Sequence, residues 1–181
     1  MPDEQTNSAA IAVNPFTGAD VSKILQERGW AAAEMTAPQA AWSEHAAAVL
    51  GPQASDRAAL IDLLGLIFHY DASEILASVE SHVVLSRYAA RDVLRSLALL
   101  LLKPATLDSE RFKEIITTLK EALDIRGREL FHPIRLALAG RAGEGELDRV
   151  ILLLDEAAAA RFSTPVKTAR ERIIEFCAAL D

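Results

Sequence analysis

Four histidines, one cysteine and a glycine-rich turn are the residues here most suited to chemistry, and their spacing decides against most of it. His45, His69, His82 and His132 include no pair at i, i+3 or i, i+4, so no single helix presents two imidazoles to a metal. His69-Tyr70-Asp71 sits where an apolar helix gives way to a capping aspartate, and a histidine at the negative end of a helix dipole accounts for it. Cys177 lies beside Ile173, Ile174 and Phe176, company in which a lone cysteine is a small buried hydrophobe rather than a nucleophile. Gly140-Arg141-Ala142-Gly143-Glu144-Gly145 has the look of a phosphate loop, but such loops follow a strand and carry Lys-Ser/Thr or a further glycine. This one follows a helix and contains Glu144, so it reads as a helix–helix turn whose glycines allow positive φ or close backbone approach. Glu114 with Lys120 and Glu171 with Arg172 read as solvated helix faces, and no two carboxylates demand acid–base work. These spacings point to no catalytic residue, no metal and no cofactor.

The elements that would position such residues are all helical. Apolar residues recur at spacings of three and four from Thr17 onward, and no stretch alternates long enough for a strand. Thr17 with Asp20 and Thr36 with Gln39 predict capping boxes, stopped at Gly29 and Gly51. Ser55 predicts the cap of a central apolar helix ending near Tyr70, and Asp71 with Glu74 starts the next. A longer helix is expected from about Ser86 to Lys103, stopped by Pro104, with Leu97 to Leu102 buried. Asp108 caps an amphipathic helix bearing Phe112, Ile115, Ile116, Leu119 and Leu123, with Gly127 beyond its end. Pro133 suits the first turn of a two-turn helix closed by Gly140, and Thr164-Pro165 suits the start of the last helix, after one over Glu144 to Arg161. The expectation is an all-α, compact bundle of about eight helices. Residues 1–14 read as a disordered tail, and Pro104-Ala105-Thr106 as the joint between helical parts 15–103 and 104–181.

Composition narrows the function classes. The 181 residues are 51% hydrophobic and 25% charged, which excludes a disordered or collagenous chain. One cysteine excludes an internal disulfide framework and fits a reducing, cytoplasmic setting. The longest apolar run, Leu97 to Leu102, falls far short of the roughly 20 residues that cross a bilayer, so no membrane role is expected. A net charge of −7 argues against coating nucleic acid through positive field alone, so any RNA contact must be local. Residues 104–181 carry 12 Lys and Arg against 14 Asp and Glu, whereas residues 1–103 carry 7 against 12. Arg126, Arg128, Arg135, Arg141 and Arg149 surround two turns of the less acidic half, a candidate basic patch.

The segment Asp108 to Val150 resembles the C-terminal anticodon-binding domain of glutamyl-tRNA synthetases. Its core is Pro133-Ile134-Arg135-Leu136-Ala137-Leu138-Ala139-Gly140, where that family has a proline, an aliphatic residue, an arginine and an Ala-Leu-Thr-Gly ending after an amphipathic helix. A glycine-containing turn then leads into the next helix through a leucine, here Leu147. Ala139 stands where the family usually has threonine, and Gly143-Glu144-Gly145-Glu146 replaces a turn of small residues and proline. Two carboxylates there would repel RNA phosphates.

The resemblance implies a tRNA partner, with Arg135 and Leu147 as RNA-binding residues, and Arg141, from the arginine patch around the turns, is the third RNA-binding candidate. A guanidinium offers a flat stacking surface and a donor fork to unpaired bases, and Arg135 on this reading faces solvent at the end of the Pro133 helix. On the other reading, Arg135 holds the turn after Gly140 by bonding carbonyls or Glu144. Neither His-x-Gly-His nor a Lys-Met-Ser-Lys-Ser signature appears, so no aminoacylation is expected. The same residues admit two alternatives: a protein–protein module, docking onto a synthetase or another protein, that kept the fold and lost RNA binding, or the detached C-terminal part of a split synthetase.

Overall fold

The computed structural model describes residues 14–181, so the reading of residues 1–13 as a tail lies outside the described residues. The described residues form ten α-helices and one 3-10 turn, with no strand. They are α1 (Gly18–Glu27), α2 (Ala37–Leu50), the turn Gly51–Gln53, α3 (Arg57–Phe68), α4 (Ala72–Leu76), α5 (Val79–Leu85), α6 (Ala90–Leu101), α7 (Ser109–Leu123), α8 (Arg128–Ala139), α9 (Glu146–Ala160) and α10 (Ala169–Leu180). The all-α bundle is as expected. It has ten helices where about eight are expected, in part because the stretch from Asp71 to Ser86, expected to hold one helix, holds two short ones, α4 and α5, capped by Asp71 and Ser78.

The bundle is organised around α8 and α9. From Pro133 to Ala139 every residue of α8 is buried, as a helix surrounded on all sides requires. α6 and α9 pack on α8, α2 and α3 pack on α9, and α10 packs on α4, α6 and α8. An aromatic cluster joins the early helices to the α9–α10 link: Trp30 stacks on Phe68 at 4.9 Å, and Trp42, Phe68 and Phe162 meet edge to face at 5.3 to 5.7 Å. Trp42 Nε1 donates to the Leu153 carbonyl at 3.1 Å, so the cluster's largest ring loses no hydrogen bond by being buried. The Pro104–Thr106 connection is a surface turn gripped by Arg111, which donates to the carbonyls of Leu100, Lys103 and Ala105. One apolar core continues across it.

Thr17 with Asp20 and Thr36 with Gln39 form full capping boxes, Asp71 and Asp108 cap as expected, and Gly140 closes α8 at φ 84°. Several boundaries move. Asp56, not Ser55, caps α3 by accepting from the Ala59 amide. Gly51 continues as a 3-10 turn at negative φ instead of reversing the chain. The helix expected from Ser86 begins at Ala90, and within Leu97–Leu102 only Leu97 and Leu101 are fully buried, while Leu99 is 68% exposed. Each residue turns a helix by 100°, so six consecutive leucine-like residues cannot all face one core. Pro133 is the sixth residue of α8, because Gly127 sets the start and the earlier turn buries Leu130 completely. The last helix starts after Thr168 rather than Thr164. Thr168 has Glu171 three residues on to complete a box, whereas Thr164 has Lys167 there, which carries no acceptor.

The largest correction is Arg172. Expected on a solvated face, it is wholly buried in α10. Its guanidinium donates to the carbonyls of Leu66 (2.9 Å), Ile67 (2.6 Å), Leu138 (2.9 Å) and Lys167 (3.1 Å) and lies 4.6 Å from the centre of the Tyr70 ring. Three of those carbonyls belong to the last turns of α3 and α8, where carbonyls lack intrahelical partners and the dipole is negative. Burial pulls Arg172 down to about 10, still charged at neutral pH. The Tyr70 hydroxyl donates to the Ala137 carbonyl at 2.5 Å, and burial pushes its pKa up.

Candidate nucleic-acid interface

The α8–α9 turn, Gly140 to Gly145, is shaped from beneath by Arg135. Its Nε and Nη2 donate to the two carboxylate oxygens of Asp148 at 2.8 and 2.9 Å, and Nη1 donates to the Gly143 carbonyl at 3.0 Å. The guanidinium lies 4.7 Å from the centre of the Phe131 ring. Asp148 on α9, Gly143 in the turn and Phe131 on α8 are thus tied by one planar fork. The Asp148 carboxylate raises the Arg135 pKa further, so the charge is permanent. Arg135 is only 8% exposed, which corrects the expectation of a solvent-facing guanidinium and matches the other reading, with Asp148 rather than Glu144 as its partner. Residue type and the Pro-x-Arg spacing could not separate the two, because the deciding carboxylate comes from the following helix.

Leu147 is likewise buried, at 2% exposure, beneath the turn. A Cβ at Gly143 would come within 2.8 Å of Leu147 Cδ1, so a larger residue there must displace the end of the buried Leu147 side chain, while Gly140 supplies the left-handed residue that ends α8. Arg141 is half-exposed and pairs in bidentate fashion with Asp62 of α3 at 2.6 and 2.9 Å. That pair holds the Asp62 carboxyl below its ordinary range. Beside it opens a cleft of about 330 Å³ lined by Gln53, Asp62, Glu80, Arg141, Glu146 and Leu147, among others. The three sequence-marked residues therefore meet at one ledge, two from inside and Arg141 from outside.

The five-arginine patch is divided. Arg128 lies 3.9 Å from Glu144, and Arg149 lines a separate apolar cleft with His45, Leu107, Leu152 and Glu156. A cationic group that sequence reasoning missed forms instead around His132 on α8. Arg87 Nη1 donates to His132 Nδ1 at 2.9 Å, which puts the ring proton on Nε2, and that atom is buried without a partner among the described residues. Burial first, then Arg87, Arg128 and Arg135, hold the His132 pKa below its ordinary value. Below about pH 6.5 the unfolded chain takes up a proton here that the folded chain resists, so stability is full above that pH and falls as the pH drops through the lowered value. The melting temperature is expected to fall between pH 7 and pH 5.5, and less steeply in His132→Gln, whose amide oxygen still accepts from Arg87. An identical slope in both proteins would mean that His132 does not carry this pH dependence.

Among the described residues no cluster of three or more His, Cys, Asp or Glu side chains could hold a metal ion, and no helix is long and apolar enough to cross a membrane.

The sequence matches the anticodon binding domain family over residues 15–161, which includes α8, the ledge and α9. The chain belongs to that family. The glutamate–tRNA ligase 2 of Syntrophus aciditrophicus (strain SB) is 30% identical over 86 residues, covering 48% of this chain and 16% of that protein. No solved structure matches the chain. This anticodon-binding-domain chain thus corresponds to under a fifth of the ligase's length.

Proposed function

We propose that the chain is a non-catalytic tRNA-binding module, similar to the anticodon-binding domain of glutamyl-tRNA synthetase, that meets the anticodon loop at the α8–α9 ledge. The family match through α8 and α9 carries this reading. The geometry supports it in a particular way. Arg135 and Leu147 act from within, fixing where Arg141 and the backbone of residues 141–145 stand, so that a flexible RNA loop meets a preset surface. Arg141 is the outward cation of the three, its fork shared with Asp62 in the free protein.

The test is binding of an anticodon stem-loop from a glutamate tRNA and of the same stem-loop with its three anticodon bases replaced. A base-reading surface favours the first by about fivefold or more. Arg141→Glu should weaken both. Equal binding of the two stem-loops removes the anticodon from the proposal.

A second reading, that the fold serves as a protein-docking module, is favoured by Glu144 and Glu146 on the ledge and by the net charge of −7. It predicts no tRNA binding at low salt and co-elution with a synthetase.

A further inference from the structure

The largest side chain left open to solvent is an aromatic one. Tyr88 is fully exposed, at 102%, in the short link between α5 and α6. The link is held on both sides: the Arg87 amide donates to the Val84 carbonyl, the Ala90 amide donates to the Arg87 carbonyl, and Ala89 and Ala90 are buried. Tyr88 therefore stands out from a fixed turn. Arg87 precedes it, anchored by one nitrogen to His132, a neutral partner rather than a carboxylate. Arg91 follows three residues later on the first turn of α6, exposed and in no ion pair among the described residues. Arg128 adds a third cation beside His132, partly offset by Glu144, and the acidic neighbours are Asp92 on α6 and Asp181, which lines a small cleft with Arg91 and Arg95.

Tyr88 has Arg87 next to it in the chain and Arg91 one helical turn on, and an exposed ring with cations within reach is a combination that holds a single-stranded nucleic acid, the base stacked on the ring and the adjoining phosphates against the cations. We infer that Tyr88, Arg87 and Arg91 form a stacking site for an unpaired nucleotide, distinct from the α8–α9 ledge. Glu80, on the first turn of α5, accepts from the Ala142 amide of the ledge, while Arg87, just past the other end of α5, reaches His132 on α8. α5 thus spans the distance between the two sites, and one RNA strand running along it would meet both. The inference rests on the RNA-binding reading, but it concerns unpaired nucleotides of any sequence.

The experiment is fluorescence anisotropy of a labelled ten-nucleotide oligouridylate against the full chain at 50 mM salt, alongside a tRNA transcript. The oligonucleotide is expected to bind. Tyr88→Ala should weaken it about fivefold or more, Tyr88→Phe should leave it nearly unchanged because the stack needs no hydroxyl, and Arg91→Gln should weaken it and flatten its salt dependence by about one unit of slope. These exposed positions leave the fold intact, which a circular dichroism spectrum checks. Absence of oligonucleotide binding, or equal binding by Tyr88→Ala, overturns the site. If tRNA binds with anticodon preference while Tyr88→Ala has no effect, the ledge stands and the stacking site falls. If the oligonucleotide binds through Tyr88 without any anticodon preference, the stacking site stands and the anticodon reading falls.

Discussion

Replacing Arg172 by methionine is expected to lower stability by about 3–5 kcal/mol. The side chain is fully buried and supplies donors to four carbonyls, from α3, α8 and the segment before α10. Methionine fills much of the volume but leaves those carbonyls in an apolar interior without a donor. Each buried acceptor so stranded costs about 1–3 kcal/mol, and the four share one donor, so the losses do not simply add. For a chain of this size the melting temperature should fall by roughly 10 °C. Arg172→Lys should recover only part of the loss, because an ammonium cannot span carbonyls on two helices as the planar fork does. A loss under about 1 kcal/mol for Arg172→Met would mean that the helix ends are satisfied in some other way.

The second large effect concerns the ledge. Arg135→Ala is expected to cost about 2–4 kcal/mol, since it strands a mostly buried Asp148 carboxylate, frees the Gly143 carbonyl and removes the contact with Phe131. Asp148→Ala should cost a similar amount, and the double variant should cost clearly less than the sum of the two. A coupling of about 1.5–3 kcal/mol identifies the pair as a unit. Arg141→Ala, by contrast, breaks a half-exposed pair with Asp62 and should change stability by under about 1 kcal/mol. A melting temperature unmoved by Arg135→Ala would return that guanidinium to the solvent-facing role implied by the sequence resemblance.

The two arginines also mark where sequence reading stops. Capping is local, and Thr17 with Asp20, Thr36 with Gln39, Asp71 with Glu74 and Asp108 were all legible because donor and acceptor lie within one turn. So was Gly140, whose positive φ follows from the stop in the apolar pattern. Arg172 was not legible. Nothing near it in the chain says that the C-terminal turns of α3 and α8, residues 66–67 and 138, converge on its position. Arg135 was half-legible: its place in Pro-x-Arg drew attention to the ledge, but its exposure was settled by Asp148, thirteen residues on. Tyr88 gave no signal, since an exposed aromatic and a core aromatic look alike in a sequence where most aromatics are buried. The five arginines around the two turns looked like one patch because sequence distance does not show that Arg141 meets Asp62 and Arg149 faces another cleft.

On the function proposed above, this anticodon-binding-domain chain binds tRNA through a small set of local cations despite its net charge of −7. The direct measurement is the dissociation constant for a glutamate tRNA transcript at a series of salt concentrations from 50 to 200 mM. Counterion release makes the slope of log affinity against log salt a count of neutralised phosphates. With Arg87, Arg91, Arg128 and Arg141 as the available cations, the predicted result is measurable binding at 50 mM with a slope of about −2 to −4. No binding at 50 mM, or an affinity that does not change with salt, would contradict it.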